Sequence, residues 1–134
     1  MIIDLTTSQE FKLTLEPIDS SDVFPSVSFK VEATVSMPSW QATIEAKECW
    51  FSYESLSYFE KSLKHLDRSS EGSASLVDLD GTPIIEITRL GNEICTRVIA
   101  KDSVNMGSSS VQINGYAPEI AQIFEKLRDY PKWW

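Results

Sequence analysis

The sequence predicts an α+β fold: an antiparallel, meander-like sheet of about six to seven strands, with two helices on one face. Three observations predict it. Apolar and polar side chains alternate cleanly in the first half of the chain, two segments have helical spacing, and turn residues separate short strands in the second half. Strands of a parallel sheet are buried on both faces and apolar throughout, so the alternation indicates antiparallel strands with one open face.

The length of 134 residues favours one α+β domain over residues 1–134, because two independent cores would each be near the lower size limit for folding alone. The composition is ordinary for a globular domain, with 42% hydrophobic and 24% charged residues. The segment Met1-Ile2-Ile3-Asp4 has no basic region or long apolar run, so no secretory signal is expected. We therefore expect a cytoplasmic protein that does not bind membranes.

Three strands are expected before the first helix. The residues predicted to face the core are Phe11, Leu13 and Leu15, then every odd position from Val27 to Val35, then Trp40, Ala42, Ile44 and Ala46. Trp40 is thus expected in the core. Pro38 and Ser39 form a turn between the last two strands, and the segment from Asp19 to Pro25 is predicted to be a polar loop.

Two segments have the spacing of amphipathic helices. In the mid-chain helix the apolar stripe is Leu56, Phe59, Leu63 and Leu66. Ser52 is the expected N-cap, and Ser69 to Gly72 ends the helix. Pro118 suits the first turn of the C-terminal helix. Its inward stripe is Ile120, Ile123, Phe124 and Leu127, and Pro131 follows its end.

Four short strands are expected between the helices, at residues 73–79, 83–90, 93–101 and 109–114. Asp80-Gly81 and Gly91-Asn92 are hairpin signals between the first three of them. The predicted order is β-β-β-α-β-β-β-β-α. Cys49 and Cys95 are expected to be small buried residues on strands, not a disulfide pair. Trp133 and Trp134 are expected to tuck against the sheet, because two bare indoles would promote aggregation.

One motif has a catalytic interpretation. Ser75-Leu76-Val77-Asp78-Leu79-Asp80-Gly81-Thr82 resembles the first motif of haloacid-dehalogenase-type phosphatases. The resemblance implies Asp78 as nucleophile, Asp80 as general acid/base and a bound Mg²⁺. However, a strand resumes at once after Thr82, as after a hairpin turn, and too little chain follows for that family's later motifs. A Mg²⁺-dependent phosphatase using Asp78 and Asp80 is therefore the alternative function, and no cofactor is expected.

Other catalytic and metal sites lack candidates. His65 is the only histidine and has no Cys or His at metal-ligand spacing. The formal net charge of −8 argues against a nucleic-acid partner.

The acidic residues are unevenly distributed. Residues 1–60 contain ten carboxylates and three lysines, whereas residues 61–134 contain ten carboxylates and nine basic residues. Glu32 and Glu45 lie on the polar faces of neighbouring predicted strands. This surface is either a solvated face or a docking surface for a basic partner. For the docking alternative, the candidate partner-binding residues are Glu32, Glu45, Glu48 and Trp50.

A second resemblance covers the chain from Val27 to Leu127. Its features are a strand ending in Cys49-Trp50-Phe51, a helix opened by Tyr53-Glu54-Ser55-Leu56-Ser57-Tyr58-Phe59, the segment Gly72-Ser73-Ala74-Ser75-Leu76 with Asp80-Gly81, the strand Ile85-Glu86-Ile87-Thr88, and Pro118-Glu119-Ile120 before the last helix. This pattern resembles small bacterial proteins related to the immunity proteins of polymorphic, contact-dependent toxin systems.

The immunity resemblance implies a non-catalytic protein that binds and neutralises a cognate toxin domain through an acidic surface. The partner would be a protein, such as a basic toxin domain. A second alternative is a structural or oligomeric module with an unpaired strand edge or a Trp-mediated dimer. The sequence leaves both a monomer and a homodimer open.

Overall fold

A computed structural model describes residues 2–102, 104 and 106–132. The elements in these residues are β1 (Ile3–Asp4), β2 (Phe11–Ser21), β3 (Ser26–Met37), β4 (Trp40–Ser52), α1 (Tyr53–Asp67), β5 (Glu71–Val77), β6 (Pro83–Leu90), β7 (Glu93–Lys101), β8 (Ser108–Tyr116) and α2 (Pro118–Asp129). Trp133 and Trp134, predicted to tuck against the sheet, lie outside the described residues.

The predicted α+β class is confirmed, but the prediction of one sheet of six to seven strands is wrong. The described strands form two antiparallel sheets of four, with the orders β1-β2-β3-β4 (sheet A) and β5-β6-β7-β8 (sheet B). Each strand pairs with its neighbour in the chain, so both sheets are meanders. The helix α1 separates β4 from β5 in the chain, and β5 pairs with β6 instead of extending sheet A.

Both helices form where the predicted signals are. The Ser52 hydroxyl accepts a hydrogen bond from the Ser55 amide at 3.0 Å and thereby caps α1. All four residues of the α1 stripe are buried, as are Ile120, Ile123 and Leu127 of α2. Phe124 is partly buried and packs against the core. The apolar stripes therefore determine which side of each helix faces the sheets.

The core lies against the inner face of sheet A, where alternate residues of β2 and β3 are almost completely buried. At the start of β3 the alternation is absent, because Ser26 and Ser28 of the other face are buried too. The rings of Phe29 and Phe51 lie 6.0 Å apart between centroids and are tilted by 53°. A narrow internal cleft lies between sheet A, α1, α2 and the segment after α2. Its lining residues are Ile3, Leu15, Phe29, Leu56, Phe59, Glu60, Leu127, Tyr130 and Lys132. The two helices thus pack on the side of sheet A that the alternation predicts to be apolar.

A bulge in β4 changes the alternation of its side chains. Phe29 is opposite Cys49, but Val31 is opposite Ala46, so Lys47 and Glu48 together face Lys30. Even-numbered residues of β4 face inward before the bulge, and odd-numbered residues face inward after it.

The prediction that Trp40 lies in the core is wrong, because its side chain is 51% exposed. It is the first residue of β4, an edge strand, and follows directly after a turn.

The two cysteines have different environments, and both are free thiols. Cys49 is buried, as predicted, and burial raises the pKa of its thiol to about 11, with a smaller contribution from the charge of Asp78. The prediction of burial is wrong for Cys95, which is only half-buried. Cys95 shares the outer face of sheet B with its cross-strand neighbours Thr88 and Asn114, which are both exposed.

Candidate protein-binding surface

Three carboxylates form a line across the outer face of sheet A. Asp4 is opposite Thr14, Thr14 is opposite Glu32, and Glu32 is opposite Glu45. We call Asp4, Glu32 and Glu45 the acidic row. Neighbouring strands are about 4.8 Å apart, so the row crosses the whole width of the sheet. Asp4 and Glu45 are exposed and Glu32 is half-buried, which leaves the row open to solvent.

Glu32 and Glu45 are the closest pair within the acidic row. The sequence predicts them on the polar faces of neighbouring strands, and the structure places them directly opposite each other. Like charges in this position destabilise a sheet. The pairing therefore has an energetic cost that a nearby cation would remove.

The nearest basic residue on β3 already has a partner. Lys30 forms an ion pair with Glu16 at 3.3 Å. Its pKa is raised first by the hydrogen bond to Glu16 and then by the charges of Glu16, Glu45 and Glu32. Within the described part of the chain, neither Glu32 nor Glu45 forms an ion pair. Glu32 and Glu45 therefore feel Lys30 only as a neighbouring charge that is already paired with Glu16. Asp4 lies near Lys12 and Lys126. Among the described residues, the Glu32–Glu45 pair is the part of the acidic row without a direct cationic contact.

Glu48 and Trp50 contact each other beyond the bulge. The indole Nε1 of Trp50 donates a hydrogen bond to Glu48 Oε1 at 3.0 Å. Trp50 is opposite Ser28 and is half-buried, whereas Glu48 is exposed. Both predicted contact residues thus lie on the outer face of sheet A, between the acidic row and the hairpin that joins β2 to β3.

That hairpin presents exposed apolar side chains, although the sequence predicts a polar loop there. The predicted polar loop from Asp19 to Pro25 is wrong in part, because β2 continues to Ser21. Val23 is 99% exposed, Phe24 is 59% exposed and Ile18 is 51% exposed. We call these three residues the apolar tip. The sequence feature that could have predicted them is the adjacent apolar pair Val23-Phe24, which lies in a segment without alternation.

The aspartates of the phosphatase-like motif hold a loop together. Asp78 Oδ1 accepts hydrogen bonds from the amides of Asp80 at 3.0 Å and Thr82 at 2.8 Å. The loop joins β5 to β6, and Gly81 has a φ of 83°, which favours glycine. Among the described residues, no group of three or more His, Cys, Asp or Glu could hold a metal ion. The hydrogen bonds therefore give Asp78 a structural role.

Replacing Asp78 by Ala is expected to lower the free energy of unfolding by about 1–2 kcal/mol, because two loop amides lose their acceptor. Asp80→Ala is the matched control and should change it by less than about 0.5 kcal/mol, since the Asp80 side chain accepts no hydrogen bond from the described residues. Urea denaturation of both variants measures the difference. Equal stability of the two variants would show that the Asp78 carboxylate does not hold the loop.

Comparison with known proteins gives no relative: no family model, curated protein or solved structure matches the chain. Across residues 2–102, 104 and 106–132, no helix is long and apolar enough to span a membrane.

Proposed function

We propose that this protein is a non-catalytic binding module that holds a basic region of a partner protein against the outer face of sheet A. The observation that carries the proposal is the direct opposition of Glu32 and Glu45, neither of which has an ion-pair partner among the described side chains. A cationic side chain inserted between them would relieve their repulsion and add its own attraction.

The charge distribution supports rapid association. Residues 1–60 carry seven of the eight excess negative charges, and this part of the chain forms sheet A and the start of α1. A concentrated negative field steers a basic partner toward the acidic row before contact. Association rates raised in this way decrease as salt increases.

The apolar tip supports slow dissociation. Most of the binding energy of an interface usually comes from a few large side chains, especially aromatic ones. Phe24 is exposed and Trp50 is half-exposed at the same end of the outer face. Glu32 lies six residues after Ser26, where β3 begins next to the turn that contains Phe24, which corresponds to about 20 Å along the strand. One interface of ordinary size covers that span.

The resemblance to immunity proteins indicates the class of partner. We propose a basic toxin domain that is neutralised stoichiometrically in the cytoplasm, with the acidic row covering its cationic surface. The phosphatase alternative is not retained, because nothing in the loop around Asp78 favours it.

The test captures basic proteins from a lysate of the source organism on this protein and measures the association rate of the purified partner. Glu32→Lys with Glu45→Lys should lower the association rate about tenfold or more at low salt. The matched control, Glu71→Lys with Glu93→Lys, makes the same change of net charge at exposed positions of sheet B and should retain most of the rate. A wild-type association rate in the first variant, or no binding by the wild-type protein, would contradict the proposal.

A further inference from the structure

The free edge of β4 is a long, open strand edge. β4 is the last strand of sheet A. In the part of the chain that the structure describes, no backbone hydrogen bond reaches this edge between Trp40 and Glu48; the nearest one, from the Leu79 amide to the Trp50 carbonyl at 2.9 Å, lies beyond the bulge. An exposed edge of this length is a template for pairing with another strand.

β4 also contacts β7 and β8 of sheet B, but its inner side is incompletely covered. Val31, Ala33 and Val35 of β3 are at most 1% exposed. The residues opposite them, Ala46, Ile44 and Ala42, are only half-buried. Together with the exposed Trp40, they form an apolar strip along the free edge. An additional strand would cover this strip and also satisfy the open backbone groups.

We propose that the strand added to this edge is β4 of a second copy of this chain, in antiparallel orientation, with Thr43 opposite Thr43. The regular segment of β4 is bounded by the turn at Pro38-Ser39 and by the bulge at Lys47-Glu48. It therefore comprises residues 40–46. Two copies related by a two-fold axis align this whole segment only when its central residue, Thr43, lies on the axis.

The side chains are complementary in size in this register. On the inner face, the large Trp40 is opposite the small Ala46 of the second copy, and Ala42 is opposite Ile44. Directly opposed side chains on one face lie about 4.5–5.5 Å apart, so such pairs fill space without clashing. Two copies thus form one continuous sheet of eight strands, and each copy helps to cover the apolar strip of the other.

The polar side chains are also complementary in charge. Each Glu45 is opposite the Gln41 amide of the second copy and not opposite another carboxylate. Gln41 Oε1 already accepts a hydrogen bond from Ser36 Oγ at 3.1 Å. This leaves the Gln41 amide group to donate to Glu45 of the second copy. Lys47 and Glu48 lie outside the paired segment, so no like charges are directly opposed.

The other sheet edges are less suitable. Of the three other edge strands, β1 has only two residues, α1 packs beside β5, and β8 packs against β3 and β4 of sheet A. The two-fold axis is normal to the sheet, so the outer faces of both copies point to the same side. Both acidic rows then remain open.

The dimer is independent of the proposed function, and its failure would leave that function unchanged. Because each copy carries a net charge of −8, added salt should strengthen the dimer.

Disulfide trapping tests the register. In a Cys95→Ser background, Thr43→Cys should form a disulfide-linked dimer on mild oxidation, because the two introduced thiols face each other across the axis. Gln41→Cys is the matched control, an exposed position on the same face that lies opposite Glu45. It should cross-link much more slowly. Equal rates for the two variants would overturn the proposed register.

Sedimentation equilibrium across a concentration series in high salt tests the dimer itself. Trp40→Lys should raise the dimer dissociation constant about tenfold or more, because it places a charge at the apolar pair with Ala46. Leu90→Lys replaces another exposed apolar residue, 73% exposed on sheet B, and should leave the constant unchanged. A wild-type protein that stays monomeric throughout the series would overturn the proposal.

Discussion

Replacing Phe29 by Ala is expected to lower the free energy of unfolding by about 3–5 kcal/mol. The Phe29 side chain is fully buried and packs against Phe51 at a centroid distance of 6.0 Å. Its removal leaves a cavity between the inner face of sheet A and the helices, and it also removes an aromatic contact that contributes about 0.5–1.5 kcal/mol. Domains of this kind have total stabilities of about 5–15 kcal/mol, so the loss is a large fraction.

Phe24→Ala is the control for this change, because it removes the same atoms from an exposed position five residues earlier. Its side chain is 59% exposed, so the free energy of unfolding should change by less than about 0.5 kcal/mol. Urea denaturation with an unchanged m-value measures both variants. A loss below about 1.5 kcal/mol for Phe29→Ala would contradict this expectation and mean that the core collapses around the cavity.

Local features of the chain predict its elements well. The α1 stripe from Leu56 to Leu66 and the cap at Ser52 are as expected, because helix formation depends on neighbours three or four residues apart. The strands at residues 83–90 and 93–101 also have the predicted bounds. The Gly91-Asn92 turn between them fixes the register, and Gly91 has a φ of 64°.

The division of the strands into two sheets could not be predicted from alternation, helical spacing or turn residues. Alternation shows which side of a strand is buried but not which strand is its neighbour. Alternation also did not predict the bulge at Lys47-Glu48. Two consecutive polar residues are equally compatible with a regular strand that has an open face. Even-numbered residues face inward from Ala42 to Ala46, whereas the buried residues after them, Cys49 and Phe51, are odd-numbered. Both patterns fit one strand only if one extra residue lies between them.

The candidate surface was predicted in part. Glu32 and Glu45 follow from strand alternation, whereas Asp4 belongs to the acidic row only because the two-residue strand β1 pairs with β2. Such a short strand has no periodicity to detect. The apolar tip was missed because exposure depends on what packs nearby, and an apolar residue in a loop is exposed or buried according to contacts made elsewhere in the chain.

Arg89 of β6 explains how one helix joins both sheets. The helix α1 begins directly after β4 of sheet A, where Ser52 caps it. At its other end, Arg89 Nη1 donates hydrogen bonds to the carbonyls of Leu66 at 3.0 Å and Asp67 at 2.9 Å. Arg89 Nε donates to the Gly91 carbonyl at 2.8 Å and thereby fixes the guanidinium. Cationic donors at a helix C-terminus also interact favourably with the helix dipole.

Replacing Arg89 by Ala is therefore expected to lower the free energy of unfolding by about 2 kcal/mol, because three charge-assisted hydrogen bonds are lost. Arg89→Lys should recover only part of this loss, since one ammonium group cannot reproduce the planar fork. Arg97→Ala removes an exposed arginine from β7 and should have little effect. Hydrogen exchange gives the local readout: the amides of the last turn of α1 should exchange faster in Arg89→Ala than in Arg97→Ala. Unchanged protection there would show that sheet B does not hold the end of α1 through this side chain.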